Sequence, residues 1–267
     1  MKRFLFLLLF LPAIVVAQEE ETESFINPIG PEAADWQFRY LIDAPAAGAL
    51  QKGEYSFEVR IFSRGGVLVG FNVGLFSRFN MGILYGGTNI IGDSKTPEGN
   101  DEPGVEIRYR LLEEKMLLPA LVLGYTNQGY GRFQENPATG NERYRYKSKG
   151  LYAALSKNYN LLGHEFGIHG GVNFNTSETE DDEGLNFYTG LNFALNEELL
   201  LIGEYDFGIN DNTRDSFGRG DGYLHGAVRW AFSDKLIFQF NFKDILGNRR
   251  DSQTVEREIR IVYVQEI

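Results

Sequence analysis

The chain has 267 residues, 43% hydrophobic and 14% aromatic, with 31 glycines, no cysteine and a formal net charge of −11. The lack of cysteine excludes disulfide scaffolds, thiolate metal sites and cysteine nucleophiles, and the acidic balance argues against a nucleic-acid partner, because phosphate binding needs clustered Lys and Arg. Glycine at about 12%, against a usual ~7%, points away from a helix-rich enzyme, and the length suits one large all-β domain.

Residues 1–17 are expected to be a secretory signal. Lys2 and Arg3 precede an apolar run from Phe4 to Val16, and Ala17 supplies the small residue of a cleavage site before the acidic Gln18-Glu19-Glu20-Glu21. The run is shorter than the ~20 residues a membrane helix needs. Residues 18–35, acidic and punctuated by Pro28 and Pro31, read as a flexible periplasmic tail. In 36–52, Trp36, Phe38, Tyr40 and Ile42 alternate without a partner strand. This segment is expected to be a plug or mouth segment of the domain that follows; an extra strand is the alternative.

From 53 to 267 the apolar residues recur every second position, as in Tyr55, Phe57, Val59 and Ile61 interleaved with Glu54, Ser56, Glu58 and Arg60. The pattern predicts about twelve strands, at 54–63, 66–76, 79–87, 104–112, 116–126, 144–157, 164–175, 184–195, 198–209, 222–232, 235–246 and 255–267. After a short turn at 64–65, tight connections (77–78, 113–115, 158–163, 196–197, 233–234) alternate with longer polar ones (88–103, 127–143, 176–183, 210–221, 247–254). A soluble sandwich has no reason to do this. The alternation predicts a single antiparallel transmembrane β-barrel with short periplasmic turns and longer extracellular loops, in the outer membrane of a Gram-negative-type bacterium.

The two rows of each strand differ in charge. One is apolar and nearly uncharged, with aromatic rings near both ends, such as Trp230 and Phe232 at the short turns and Tyr85 and Phe187 towards the long loops. The other collects the residues expected to line the lumen: Glu58, Arg60, Asn72, Glu106, Arg108, Arg110, His169, Asn173, Glu204, Asp206, His225, Arg229, Gln239, Lys243, Glu258 and Arg260. A charge facing lipid at mid-bilayer costs roughly 2–4 kcal/mol for Lys or Arg, so these side chains turn inward. Their signs nearly cancel. Such a lattice is expected to cross-link the wall, narrow any aqueous path and select weakly between ions, with Glu58 and Arg60 near Glu258 and Arg260 where the first and last strands close the barrel.

The run Leu41-Ile42-Asp43-Ala44-Pro45-Ala46-Ala47-Gly48-Ala49-Leu50, followed by Gly53-Glu54-Tyr55 and the first hairpin, resembles the opening of the YjbH-like family of outer-membrane barrels, and Lys149 to Lys157 with the glycine-rich strands fits the same likeness. The resemblance implies a part in exporting or securing a surface exopolysaccharide and transfers no catalytic residue. Lipid, lipopolysaccharide and the barrel assembly machinery are the expected partners, with a polysaccharide or small solute as cargo. The last strand carries Ile259, Ile261 and Tyr263 on one row, close to the pattern that assembly machinery recognises. The alternative function is a structural or adhesive barrel with a closed, salt-bridged lumen; an outer-membrane hydrolase comes third.

No enzyme chemistry, metal or cofactor is expected. His169 and His225 fall on inward rows and read as hydrogen-bonded lumen residues rather than catalytic bases, because no serine lies on a lipid-facing row beside either. Asp206 and His225 stand on neighbouring strands and are a candidate pair. The acidic run at 178–183 and the group Asn210, Asp211, Asn212, Asp215 and Asp221 lack the spacing of an EF-hand and read as solvated loops.

Overall fold

The computed structural model describes residues 26–28, 37–92, 96–136, 141–176, 178, 184–213, 216–252 and 254–266. The signal expected at 1–17, and the tail apart from 26–28, lie outside them. The strands are β1 (Ile26–Pro28), β2 (Glu54–Phe62), β3 (Gly66–Phe76), β4 (Phe79–Thr88), β5 (Glu98–Gly99), β6 (Gly104–Leu112), β7 (Ala120–Thr126) and β8 (Tyr130–Asn136). They continue as β9 (Asn141–Tyr146), β10 (Gly150–Leu161), β11 (His164–Phe174), β12 (Leu185–Ala194), β13 (Leu199–Asp206), β14 (Tyr223–Ala231), β15 (Leu236–Lys243) and β16 (Glu256–Glu266).

Twelve of them form a closed antiparallel ring. It runs β2-β3-β4-β6-β7-β10-β11-β12-β13-β14-β15-β16, and β16 pairs back onto β2. Closure leaves no free edge, as a lipid environment demands of any sheet. Three short pieces stand outside the ring. β5 pairs with β4, β8 and β9 form a separate hairpin, and β1 pairs with the end of β10. Ile26–Pro28 is therefore held in sheet inside the segment that composition reads as a flexible tail.

The main departure from the periodicity is at 144–157. Tyr144 and Tyr146 belong to β9, and β10 starts at Gly150. Gly150 has φ +62°, and a Cβ there would stand 2.1 Å from the Phe174 carbonyl oxygen, so only glycine allows the chain to swing from the hairpin into the wall. Alternation by two cannot register such a break.

Along the ring the two faces separate. Phe57, Phe71, Ile83, Val105, Ile107, Leu155, Leu191, Leu201 and Phe240 are exposed on the outer face, forming an apolar belt of the kind that meets lipid. Most of their neighbours in sequence point inward and are buried, down to 0% exposure for Arg108. At the closing seam Arg260 stands opposite Arg60, and Val262 opposite Glu58. Glu58 lies between the two guanidiniums, accepting from Arg60 Nε at 2.8 Å and from Arg260 Nη2 at 2.7 Å.

Phe71 is 44% exposed on the outer row and Asn72 is 2% exposed on the inner one, beside a cavity of about 100 Å³. Phe71→Arg places a charge against lipid at a cost of about 2–4 kcal/mol. It is expected to reduce the folded, heat-modifiable fraction after refolding into vesicles far more than Asn72→Arg. Gel mobility measures this, and equal yields would reverse the two faces.

Candidate functional site: a filled lumen

The lumen is occupied by the chain's own residues 37–51. The segment enters at the short-turn mouth, reverses at 41–44 and returns to the same mouth before β2. Its limbs bond to one another through Leu41 N–H to Ala44 O (3.0 Å), Ala46 N–H to Arg39 O (2.9 Å) and Gly48 N–H to Phe38 O (2.7 Å). At Gly48 the limbs are so close that a Cβ would fall 2.3 Å from the Phe38 carbonyl oxygen. Both ends stay exposed: Gln37 and Gln51 lie at the mouth, while Leu41, Ile42 and Ala44 are fully buried.

The wall satisfies the inserted backbone group by group. The Glu204 carboxylate accepts the N–H groups of Ile42 (2.8 Å), Asp43 (3.0 Å) and Ala44 (3.0 Å). Arg108 donates to the carbonyls of Ala46 (2.7 Å), Gly48 (2.8 Å) and Arg39 (2.9 Å). Arg60 donates to Ile42 O (2.9 Å), Arg229 to Tyr40 O (3.0 Å) and Gln239 to Leu41 O (2.9 Å). Asn80 bonds both backbone groups of Leu50 at 2.8 Å. Buried backbone groups left unpaired are expensive.

The apolar side chains of the segment have their own seat. Phe38, Leu41, Ile42 and Ala46 pack on Ala194, Leu200, Ile202 and Ala227, which are inward residues of β12, β13 and β14. Ala47 packs on Ala120, Val122, Tyr152 and Ala154. These inward positions are aliphatic because they meet the inserted segment instead of water.

Asp43, at the tip, joins this inner closure to an outer one. Its carboxylate pairs with Arg60 (3.1 Å) and Lys243, and accepts from the Tyr130 hydroxyl (2.6 Å). Tyr130 opens the β8–β9 hairpin, which lies over the outer mouth with Tyr130 and Tyr146 stacked at 4.6 Å. The hairpin is pinned by Arg143 to Asp211 (2.6 Å), by Arg145 to Asp251 (2.6 Å) and Glu256, and by Arg249 Nη2 to Arg145 O (2.9 Å).

Of the residues expected in the lumen, Glu204, Arg108, Arg60, Arg229, Gln239 and Lys243 hold the inserted segment. Arg110 bonds Gln37 Oε1 and Glu113, both at 3.0 Å. Glu106 pairs with Arg39 of the segment at 3.0 Å. Glu58, Arg260 and Glu258 form the seam lattice, with Asn241 donating to Glu258 at 2.8 Å. Asn72, Asn173 and Asp206 border the outer cavity. Asp206 is bound by Lys149 (2.6 Å) and Asn186 (2.7 Å), whereas His225 stands opposite Glu204 and accepts from Asp244 N–H (2.9 Å), so the Asp206–His225 pairing does not form.

The loop readings also change. Asp211 is buried, and although burial alone would push its carboxyl up, the Arg143 guanidinium outweighs this and holds it below the usual carboxylate range. Glu178 is buried too, accepting from Ser148 N–H (3.1 Å) and Asn175 Nδ2 (2.9 Å), so it is no solvated loop residue. The rest of the run, 179–183, lies outside the described residues.

Sequence reasoning missed Ser156, which is on an inward row. Ala47 N–H donates to Ser156 Oγ at 2.9 Å, Ser156 Oγ lies 2.8 Å from His169 Nδ1, and His169 Nε2 lies 2.7 Å from Asn192 Oδ1. The serine oxygen faces the inserted backbone, so this row is a relay ending on the segment. Asp43, Glu204 and His225 offer oxygens and nitrogens within 4.8 Å of one another, but the donor set does not suit a cation. His225 Nδ1 is engaged by Asp244 N–H, which puts the neutral ring's proton on Nε2. Glu204 and Asp43 are already taken by three N–H groups and by Arg60 and Lys243.

No family model and no curated protein matches the sequence. Among solved structures the chain is similar to the KdgM porin (6% identity over 80% of this chain and 99% of that one, TM-score 0.42). It is similar too to the outer membrane protein Omp33 of Acinetobacter baumannii (8%, 80% and 97%, TM-score 0.42) and to the NanC porin (8%, 80% and 99%, TM-score 0.40). A closed ring with an apolar outer belt and a polar interior is the architecture of an outer-membrane barrel.

Two outcomes test this site. Glu204→Ala leaves three buried N–H groups without an acceptor at roughly 1–3 kcal/mol each; trypsin cleavage after Arg39, resisted by the folded parent, is expected in this variant and less in Glu204→Gln. Burial pushes the Glu178 carboxyl up to about 7. A raised folded value means that its stabilising contribution is complete below the unfolded value and is lost as pH rises through about 7. The Ser148 amide resonance is expected to titrate with that midpoint and to stay flat in Glu178→Gln.

Proposed function

We propose that this protein is a gated outer-membrane barrel, closed at rest by residues 37–51 and opened when that segment withdraws into the periplasm to pass a small solute or a glycan segment. One observation supports it above the others. Both limbs of the inserted hairpin lead to the short-turn mouth, where Gln37 accepts from Arg110 through its side-chain oxygen and Leu50 is clamped by Asn80. A loop held this way leaves without being threaded through the wall.

The exopolysaccharide part of the reading rests on the resemblance to YjbH-like barrels. The residues that carry it, Leu41 to Leu50, are those that make the turn and the returning limb. In this reading the motif is a plug, and surface-glycan handling is the task that the plug controls. Lipopolysaccharide and the assembly machinery remain the proposed surroundings. A second reading, a permanently closed structural barrel, is favoured by the outer hairpin, which seals the other mouth through Arg143, Arg145 and Arg249.

Planar-bilayer conductance separates the two. The full-length parent is expected to be silent apart from rare openings, and the Glu204→Ala/Arg108→Ala variant, which loosens both faces of the hairpin, is expected to open for long periods. A folded variant that stays silent would favour the structural barrel.

A further inference from the structure

Between the inserted segment and the β15–β16–β2 wall lies a cavity of about 260 Å³ at the short-turn mouth. Its lining brings Arg39, Arg229 and Arg260 together with Ile237, Val262 and Val264, and Arg260 lies deeper along β16 than the two valines. Both features depart from the rest of the lumen. The inward row of β16 runs Glu258, Arg260, Val262, Val264, and that of β15 runs Lys243, Asn241, Gln239, Ile237, so each turns from polar to apolar on reaching the cavity.

The arginines there are short of counter-charge. Among the described residues Arg229 has no carboxylate partner, since it donates only to Gln239 Oε1 and the carbonyls of Tyr40 and Leu41. Arg260 is 4% exposed and bonds Glu58 through Nη2, while its Nε and Nη1 are buried without a hydrogen-bond partner. Glu58 is shared with Arg60, and Glu54, at the rim, accepts from Gln51 N–H. Arg39 spends one nitrogen on Ser56 and another on Glu106, leaving Nε unpaired. Buried guanidinium nitrogens without acceptors, on arginines that line a cavity, call for an anion.

We infer that this cavity is a binding site for a small amphipathic carboxylate, its head on Arg229 and Arg260 and its short apolar body along Ile237, Val262 and Val264. The volume lies below the ~300–1,000 Å³ of drug-sized pockets, which limits the ligand to a few carbons beyond the carboxylate. The site faces the periplasm and requires only the inserted position of residues 37–51, so it stands whether or not that segment ever withdraws.

Titration calorimetry on the full-length barrel in a neutral detergent tests it, with hexanoate as the probe, 1-hexanol lacking the charge and acetate lacking the body. Saturable hexanoate binding is expected, about tenfold or more tighter than acetate, with no saturable binding of hexanol. Arg229→Gln is expected to weaken hexanoate about tenfold or more. Val264→Trp, which fills the cavity and leaves every arginine in place, is expected to abolish binding, and Arg78→Gln, an exposed arginine at a short turn, to leave it unchanged. Absence of saturable hexanoate binding, equal affinity for acetate, or binding that survives Val264→Trp in a folded barrel would each overturn the assignment.

Discussion

Three consecutive backbone N–H groups, of Ile42, Asp43 and Ala44, converge on the single carboxylate of Glu204, and the seating of residues 37–51 in the lumen depends on that convergence. A hairpin without regular sheet partners carries its N–H and C=O groups into a space with little water, where each needs a partner. The wall separates the task by sign. Its carboxylate takes N–H groups at the turn, and its guanidiniums and amide, from Arg108, Arg60, Arg229 and Gln239, take the carbonyls. The inward charges therefore serve largely as a template for a peptide backbone and only partly as a lattice that cross-links the wall.

This division explains why both signs are needed at one level of the barrel. A desolvated ion pair gains little over well-packed apolar residues, yet losing one member leaves an uncompensated charge at about 3–5 kcal/mol. Along the β2–β16 seam, Glu58 is bound by Arg60 and Arg260 and needs nothing from the plug. Around Glu204 the compensation comes from the inserted segment, and Arg108 adds three of that segment's carbonyls to its pair with the wall residue Glu106. The seam holds the cylinder together, and the other groups set what fills it.

The ring was legible in the sequence because alternation by two, with charge largely confined to one row, survives in most wall strands, and because turn lengths report which end of a strand they join. The filled lumen was legible only in part. Trp36 to Ile42 alternates without a partner, which signals a buried segment but gives no register. A sharper signal lies in β13, where Leu199-Leu200-Leu201-Ile202 is apolar on both rows. Leu201 faces lipid, so Leu200 and Ile202 must meet something apolar inside. Ala120, Val122 and Ala154 carry the same message across the barrel. The Ser156–His169–Asn192 relay and the burial of Asp211 and Glu178 were hidden because they depend on which strands and loops meet across the lumen, and a period along one strand carries no such information.

Asp43 ties the two closures into one. It shares Lys243 and Arg60 with the wall and the Tyr130 hydroxyl with the outer hairpin, while Glu258 stands behind at 3.8 Å from Arg60 and 4.0 Å from Lys243. In the proposed withdrawal Asp43 leaves, so that Lys243 keeps Glu258 as its carboxylate and Arg60 keeps Glu58 and Glu258. At the same time Glu204 loses its three N–H donors and Arg108 its three carbonyls, so the vacated wall needs water or a polar cargo to replace them. In that proposed opening the two mouths are coupled: once Asp43 leaves, Tyr130 loses its acceptor there, and the hairpin over the outer mouth stays held by Tyr146 to Glu256, by packing on Phe62 and Leu68, and by Arg143, Arg145 and Arg249. A single carboxylate on one short segment thus makes contact both with the wall and with the outer hairpin, which is the physical basis of the proposed coupling.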